Sequence, residues 1–251
     1  MIKNISILFV LSLLPAYGEY QGNCNQDQLD SIGPSEPHYI LKEGKCYNSR
    51  FISGKLTIDG RLDEDIWGSF NNNHDNSFIS SFVQEEPNNL QESKFKTSVK
   101  IFHDQKNIYI GARLFDSNPD SIRGALSRKD DWDRAFSDQT DWFSIEFDSK
   151  HDHQSGYLFA VNASGVQSDA ILYLDSDYDI EYNSIWESEV SVDEEGWSIE
   201  ISIPFKTLNI TQIENPWGIN IHRYVYRYNE YSSWVASERD TPGIASQFGH
   251  I

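Results

Sequence analysis

The sequence has few cationic side chains, and after its first residues it has no long apolar run. Lys and Arg together number 20 against 39 Asp and Glu, which gives a net charge of −19 in a chain of 251 residues. Binding a nucleic acid backbone or an anionic membrane surface requires cationic groups that replace counterions. We therefore expect neither nucleic acids nor membrane surfaces among the partners.

The chain also lacks the short motifs of common enzyme classes. It contains no G-x-S-x-G, no H-E-x-x-H and no phosphate-binding glycine loop. Glycoside hydrolysis needs two carboxylates at a set separation across a cleft, and nothing singles out such a pair among the 39 acidic residues. The sequence therefore predicts no catalytic residue, while hydrolysis of O-glycosyl bonds stays open as an alternative.

Cysteine is scarce as well, since Cys24 and Cys46 are the only two. Both precede the main domain, and in an oxidising compartment a disulfide between them would tie down the leader segment. Metal binding is the weaker alternative, because two thiols without a nearby His pair make a poor zinc site.

The apolar run at the N-terminus predicts the compartment. Residues 5–14 are apolar but too short to span a bilayer, and small side chains follow at Ala16 and Gly18. This pattern predicts a cleaved signal peptide over residues 1–18, with Glu19 as the first mature residue. We therefore expect a secreted or periplasmic protein.

Aromatic side chains and an alternating pattern predict the fold. Aromatic residues make up 14% of the chain, which argues against disorder because disordered acidic chains are poor in them. Residues 19–54 are polar and interrupted by glycine and proline, so they predict an irregular arm. From Lys55, short alternating runs separated by turn residues predict one all-β domain over 55–251. We expect a two-sheet antiparallel β-sandwich with long acidic loops.

Particular stretches give the expected elements of this domain. In residues 58–67, Asp59 and Gly60 predict a tight turn, after which a short helical turn brings Trp67 into the core. Helical turns are also predicted at 121–128 and 205–208. The long acidic connection 116–140 is a candidate for function, because a rigid scaffold would hold its ends. The predicted strands are 78–83, 95–103, 107–115, 141–148, 157–162, 166–174, 186–192, 197–204, 217–228 and 233–236.

Several motifs in order resemble a known family. They are IDGRLDEDIW at 58–67, TSVKI at 97–101, GYLFAVN at 156–162, GWSIEISIPF at 196–205, WGIN at 217–220 and RYNE at 227–230. Over residues 52–251 the chain resembles a family 9 carbohydrate-binding module (CBM9-like), in the variant found at the N-terminus of outer-membrane β-barrel proteins of Bacteroidetes-like bacteria. The resemblance implies a β-sandwich that binds sugars, often with bound calcium and often fused to glycosidase domains.

The resemblance also implies where a sugar would be held. Sugar-clamping members hold a terminal sugar between two tryptophans, and Trp234, ahead of Phe248 and Gly249, matches one of them. The second falls at 137–138, where the nearest aromatic side chains are Trp132 and Phe136. Two polar residues of the family are replaced, since its strand Glu falls at Ser144 and its sheet Arg falls near Ala160.

The chemistry of sugars selects similar candidates. A sugar presents apolar C–H faces and a ring of hydroxyls, so an exposed flat aromatic beside polar groups suits it. Trp234, Trp132 and Trp142 are therefore the predicted carbohydrate-binding residues, with packing against a loop as the alternative for each. The tyrosines of the run 224–228 alternate with other side chains, so they could form a platform on one face of a strand or pack in the core.

A calcium site is the predicted cofactor site. Asp116 matches the aspartate that contributes to calcium in the family. The acidic loops at 130–141 and 175–181 could add oxygen ligands, although solvated acidic loops are the default interpretation. His151 and His153 are interpreted as part of a loop, because no third ligand is indicated.

These observations predict non-catalytic binding of a poly- or oligosaccharide in carbohydrate catabolism. One alternative is a structural or docking module without a sugar site, attached to an outer-membrane barrel domain. Another is an accessory part of a glycoside hydrolase. The sequence stops near the expected start of the last strand of the module, which would fit a fragment of a longer protein.

Overall fold

The computed structural model describes residues 45–70, 78–210, 216–236 and 242–251. The predicted signal peptide, most of the predicted arm and Cys24 lie outside these residues. Cys46 is disulfide-bonded, and Cys24 is the only other cysteine of the chain. Within the described ranges, no helix is long and apolar enough to cross a membrane.

The described residues form thirteen β-strands and very little helix. A single α-helical turn, α1 (Trp132–Ala135), lies in the long acidic connection, and Pro119–Ser121, Tyr226–Tyr228 and Ala245–Gln247 form 3-10 turns. The strands are β1 (Arg50–Phe51), β2 (Val83–Glu86), β3 (Thr97–His103), β4 (Asn107–Phe115), β5 (Trp142–Asp148), β6 (Gly156–Asn162), β7 (Gln167–Tyr173), β8 (Asp177–Asp179), β9 (Glu187–Asp193), β10 (Gly196–Pro204), β11 (Gly218–Val225), β12 (Glu230–Ser233) and β13 (Gly249–His250).

Two sheets face each other as a β-sandwich, which confirms the predicted fold class. The smaller sheet has the order β1-β3-β4-β10-β9, and the larger has the order β2-β12-β11-β5-β6-β7-β8, with β13 also paired to β11. All neighbouring strands are antiparallel except β1, which runs parallel to β3. The smaller sheet is therefore mixed, a detail that the alternating pattern did not predict.

Alternation along each strand builds the core between the sheets. On β5, the side chains of Phe143, Ile145 and Phe147 are fully buried. On β10 of the facing sheet, Ile199 and Ile201 are also fully buried and belong to the same apolar cluster. Burying such a side chain stabilises the fold by about 1.5–3 kcal/mol, so the inner faces hold the two sheets together.

The predicted strands 95–103, 107–115, 186–192 and 197–204 are confirmed and form two hairpins, whereas the predicted strand 217–228 and the predicted helical turn at 121–128 differ from the structure. Residues 104–107 join β3 to β4, and residues 193–196 join β9 to β10. The predicted strand 217–228 ends at Val225, because Tyr226–Tyr228 form a 3-10 turn and Asn229 is left-handed with φ 49°. The tyrosines of 224–228 therefore do not share one strand face. The predicted helical turn at 121–128 is replaced by the 3-10 turn Pro119–Ser121.

The entry stretch 58–67 is fixed to the smaller sheet by one carboxylate. Glu200 on β10 is fully buried and accepts hydrogen bonds from the indole Nε1 of Trp67 at 2.7 Å and from the backbone N–H groups of Asp59 and Gly60, both at 2.8 Å. Burial raises the pKa of Glu200, and these hydrogen bonds oppose that effect. The predicted turn and the inward Trp67 are both confirmed.

We expect Gly60→Ala to destabilise the protein more than Gly54→Ala does. Both glycines have positive φ, 84° and 118°, so alanine is strained at either position. An added Cβ at Gly60 would lie 2.7 Å from the backbone carbonyl carbon of Val190, whereas Gly54 has no atom within 4 Å. The free energy of unfolding from urea titrations should therefore be about 1–3 kcal/mol lower for Gly60→Ala. Equal losses in the two variants would contradict this close approach.

Candidate functional site

A pocket lies on the outer face of the larger sheet, opposite the core. On β5, Ser144 and Glu146 alternate with the core phenylalanines and therefore point outward. Both are nevertheless only 3% exposed, because aromatic side chains cover them. The lining residues are Trp132, Phe136, Trp142, Ser144, Glu146, Leu158, Ala160, Ala170, Tyr178, Ile180 and Tyr231. We refer to this set as the aromatic pocket.

The size of the aromatic pocket suits a small ligand. Its volume is about 300 Å³, near the lower end of the range for small-molecule sites, roughly 300–1,000 Å³. The floor is made of short or apolar side chains from β6 and β7, namely Leu158, Ala160 and Ala170. The walls are aromatic, and Ile180 at the rim is 50% exposed. The pocket therefore combines flat rings with space above a smooth floor.

The aromatic walls support one another through ring contacts centred on Trp142. Its ring lies 5.5 Å from that of Tyr224, nearly parallel at 21°, and 5.7 Å from that of Tyr231. Phe136 contacts Trp142 edge-on at 6.4 Å and also packs against Trp132 at 5.2 Å. Such contacts hold the rings in place, so a ligand would meet flat surfaces that are already arranged.

One end of the pocket is polar and is organised by Glu146. The hydroxyl of Tyr178 donates to Glu146 Oε2 at 3.0 Å, and His222 Nε2 lies 3.3 Å from Glu146 Oε1. The other ring nitrogen of His222, Nδ1, lies 2.9 Å from the hydroxyl of Tyr231, and the two rings are stacked with their planes 4° apart. A carboxylate, an imidazole and two phenols thus form one connected group.

The pKa values of His222, Tyr178 and Tyr231 are all raised in this group. Burial lowers the pKa of His222, but the hydrogen bond and charge of Glu146, with a contribution from Glu85, outweigh burial and raise it overall. Burial also raises the pKa of Tyr178 and of Tyr231, and the charge of Glu146 adds to both shifts. The surroundings therefore favour the protonated forms of His222, Tyr178 and Tyr231.

The structure brings together two of the three predicted tryptophans. Trp132 and Trp142 both line the aromatic pocket, whereas Trp234 does not. Trp234 is 5% exposed and packs in the core between the sheets, with its backbone N–H bonded to Ile221 O at 2.8 Å. We therefore correct the sequence-based assignment and leave Trp234 out of the site, because its ring faces inward and presents no open surface.

Asp116 does not fit a calcium ligand in this arrangement. The guanidinium of Arg227 donates to both of its carboxylate oxygens, at 2.5 and 2.8 Å, and the residue is only 4% exposed. In the part of the chain that the structure describes, no three His, Cys, Asp or Glu side chains form a group that could hold a metal ion. Calcium binding therefore stays a prediction, and the described residues provide no set of ligands for it.

The acidic connection before β5 is tied to the sheet beneath it. The side-chain amide of Asn162 donates to the carbonyl oxygens of Ala125 and Ala135, at 2.8 and 3.1 Å. Lys129 Nζ lies 2.6 Å from the fully buried Asp169 on β7. Asp130 accepts from the backbone N–H of Asp169 at 3.2 Å. These contacts fix the segment that carries Trp132 and Phe136.

Several pocket residues were missed by sequence reasoning. Glu146 is not among the site residues that the sequence predicts, and Tyr178 falls within the predicted acidic loop 175–181, whereas it lies on β8 in the structure. Tyr231 belongs to the short strand β12, whereas the sequence pattern predicts strands at 217–228 and 233–236 and leaves Tyr231 in the connection between them. The family resemblance does indicate two other pocket positions. Ser144 and Ala160, where the family has a Glu and an Arg, both line the pocket.

Comparison with known proteins gives the family. The family model described as "Carbohydrate family 9 binding domain-like" matches residues 58–251. The chain belongs to this family. The match spans all strands of the family 9 domain from β2 onward, together with the entry stretch 58–67. No curated protein matches the chain.

Solved structures share the fold of this family 9 domain at low sequence identity. A family 9 carbohydrate-binding module from Caldicellulosiruptor kristjanssonii in complex with cellotriose is 15% identical, with a TM-score of 0.55 over 81% of this chain and 92% of that chain. A family 9 module of the same organism in complex with glucose is 15% identical, with a TM-score of 0.55 over 81% of this chain and 94% of that chain. These likenesses show the fold.

Proposed function

We propose that this domain binds a neutral carbohydrate in the aromatic pocket and carries out no reaction on it. The observation that carries the proposal is the convergence of five aromatic side chains on one pocket. They come from three separate parts of the chain, and they are Trp132, Phe136, Trp142, Tyr178 and Tyr231. Flat rings match the apolar C–H faces of a sugar and lose little conformational freedom on binding.

The polar end of the pocket supports a ligand rich in hydroxyl groups. Glu146 can accept from a sugar hydroxyl, since a carboxylate has more acceptor sites than the two that Tyr178 and His222 use. The phenols of Tyr178 and Tyr231 supply further polar edges near the rings. Family members of known structure bind sugars, which agrees with this chemistry.

The charge around the pocket supports a neutral ligand over an acidic one. Among the described residues that line the pocket there is no Lys or Arg, and His222 at the polar end lies 3.3 Å from Glu146. Ser144 and Ala160, where the resemblance implies a carboxylate and a guanidinium, add no charge to the lining. A uronic acid would therefore bring its carboxylate toward Glu146 with no free cation to receive it.

Calorimetric titration of the full chain with matched neutral and acidic sugars tests the proposal. The probes are glucose, xylose and mannose with their trisaccharides, and glucuronic acid as the acidic counterpart of glucose. We expect saturable binding of at least one neutral series and no measurable binding of glucuronic acid. Absence of binding to every neutral probe would overturn the proposed function. Preferential binding of glucuronic acid would overturn the assignment of a neutral ligand.

A further inference from the structure

The two sides of the aromatic pocket differ in polarity, and strand order explains the difference. The carboxylate and the aliphatic hydroxyl of the lining, Glu146 and Ser144, both lie on β5. In the register of β5 and β6, Ala160 lies opposite Ser144. Leu158 lies between Glu146 on β5 and Ala170 on β7. The polar part of the floor therefore ends at β5, and β6 and β7 contribute aliphatic side chains to the lining.

Tyr178 extends its phenol across these aliphatic side chains. It lies on β8 and pairs with Leu172 of β7, yet its hydroxyl donates to Glu146 Oε2 on β5 at 3.0 Å. The strands β6 and β7 lie between β5 and β8, so the two backbones are three strand spacings apart, roughly 14 Å. The ring of Tyr178 therefore lies over the apolar side of the pocket, and its hydroxyl is engaged at the polar end.

The aromatic walls decide how a sugar would be oriented above this floor. A sugar ring has two apolar C–H faces and an edge of hydroxyl groups. A ring lying flat on the floor would point its hydroxyls at the aromatic walls. A ring standing between the walls places its faces against side chains such as Trp142 and Tyr231, and one edge against the floor. The second orientation uses the rings for stacking, so one edge of the sugar meets the aliphatic side chains.

A hydroxyl group on that edge would lose its hydrogen bonds to water without replacement. Ala160 and Ala170 are each 1% exposed and offer only methyl groups. The indole Nε1 atoms of Trp132 and Trp142 are buried, so neither is open to the pocket. An unpaired polar group in such surroundings is unfavourable, whereas a methyl group is stabilised by leaving water. The floor therefore favours an edge that carries a methyl group.

We propose that the aromatic pocket selects a neutral sugar that carries a methyl group, and that Leu158, Ala160 and Ala170 contact this methyl group. The inference rests on the proposed function of the pocket and adds the class of sugar. A 6-deoxyhexose carries the methyl group on its ring, and an N-acetylhexosamine carries it on an acetamido group. The hydroxyl-bearing edge of either sugar meets Glu146, whose carboxylate accepts hydrogen bonds.

Ala160 and Ala170 are the positions at which the floor can be changed with one atom. Ala160→Ser would extend the polar part of the floor from Ser144 by one strand and give a sugar hydroxyl a partner. Ala170→Ser places the same change on β7. Ala125→Ser is the matched control, because Ala125 is half-buried in the acidic connection and does not line the pocket.

The test compares sugars that differ at one substituent, with the full chain as wild type and as the three serine variants. The pairs are L-fucose with L-galactose, L-rhamnose with L-mannose, 6-deoxy-D-glucose with D-glucose, and N-acetyl-D-glucosamine with D-glucose. Calorimetry gives the ratio of affinities within each pair. Urea titrations check that each variant is folded, and the two floor variants lie on different strands, so either one that folds decides.

We expect wild type to bind the methyl-bearing member of at least one pair about tenfold more tightly or better, since a pocket separates ligands that differ by one small group on this scale. Ala160→Ser and Ala170→Ser should lower this ratio to less than about threefold, because the serine hydroxyl offers a partner to the hydroxylated sugar. Ala125→Ser should keep the wild-type ratio. The pair that shows the preference distinguishes a deoxy sugar from an acetamido sugar.

Three outcomes would overturn the inference. If wild type bound the hydroxylated member of every pair as tightly as its methyl-bearing partner, the proposed function would stand and the selection of a methyl group would be wrong. A methyl preference that stays unchanged in folded Ala160→Ser and Ala170→Ser would place the methyl group away from the floor. Failure of wild type to bind any of these sugars would overturn the proposed function and this inference together.

Discussion

Glu200→Ala is expected to lower the free energy of unfolding by about 3–5 kcal/mol. Its carboxylate receives three hydrogen bonds, from Trp67 Nε1 and from the backbone N–H groups of Asp59 and Gly60. Alanine removes both acceptor oxygens, and with them all three hydrogen bonds, at a fully buried position. Each buried donor left without a partner costs about 1–3 kcal/mol, so the entry stretch would lose its connection to β10. Urea unfolding monitored by tryptophan fluorescence measures the effect.

Glu189→Ala is the matched control for this prediction. Glu189 lies directly opposite Glu200 on the neighbouring strand β9, but its side chain is exposed. Its loss should change the free energy of unfolding by less than about 0.5 kcal/mol. Glu200→Gln should fall between the two, since an amide keeps one acceptor and turns a donor toward the remaining N–H groups. An unchanged urea midpoint for Glu200→Ala would contradict the role of the carboxylate.

Trp142→Ala is expected to weaken saccharide binding at least about 30-fold, the effect of removing a central binding residue worth about 2 kcal/mol or more. The indole lines the aromatic pocket and contacts Phe136, Tyr224 and Tyr231. Its removal takes away a stacking surface and also loosens the rings around it. Calorimetry with the best neutral probe measures the loss, and a urea titration checks that the variant is folded.

Trp234→Phe tests whether a saccharide binds in the aromatic pocket or at the tryptophan that the family resemblance implies. Trp234 is buried in the core and does not line the pocket. We therefore expect lower stability and saccharide affinity within about twofold of wild type, since the ring is replaced by a smaller one in the core, outside the lining of the pocket. The opposite pattern, with binding lost in Trp234→Phe and kept in Trp142→Ala, would place the sugar elsewhere.

Local signals in the sequence were sufficient for the architecture. Alternation identified the buried face of β5 through Phe143, Ile145 and Phe147, and turn residues located the hairpins that join β3 to β4 and β9 to β10. The parallel pairing of the two-residue strand β1 was not predictable, because so short a strand has no readable period. The early end of β11 depends on Asn229 adopting a left-handed conformation, which asparagine tolerates without requiring it.

The site was only half predictable because it joins residues that are far apart in the sequence. Trp132 and Trp142 stand out by residue type, but their partners Leu158, Tyr178 and Tyr231 come from three other strands. Strand order decides which residues meet, and spacing along the chain does not contain that order. Trp234 shows a further limit, since its residue type makes it a candidate, whereas its burial in the core depends on contacts that the sequence does not contain.

The hydrogen bonds and the ion pair that hold the acidic connection to β6 and β7 affect how fast a glycan could bind. The side-chain amide of Asn162 donates hydrogen bonds to the carbonyl oxygens of Ala125 and Ala135, and Lys129 forms an ion pair with Asp169. The wall that carries Trp132 is therefore ordered before any ligand arrives, and binding does not spend free energy on ordering a loop. Association would then be limited by diffusion and by the orientation of the sugar, without a slow closing step.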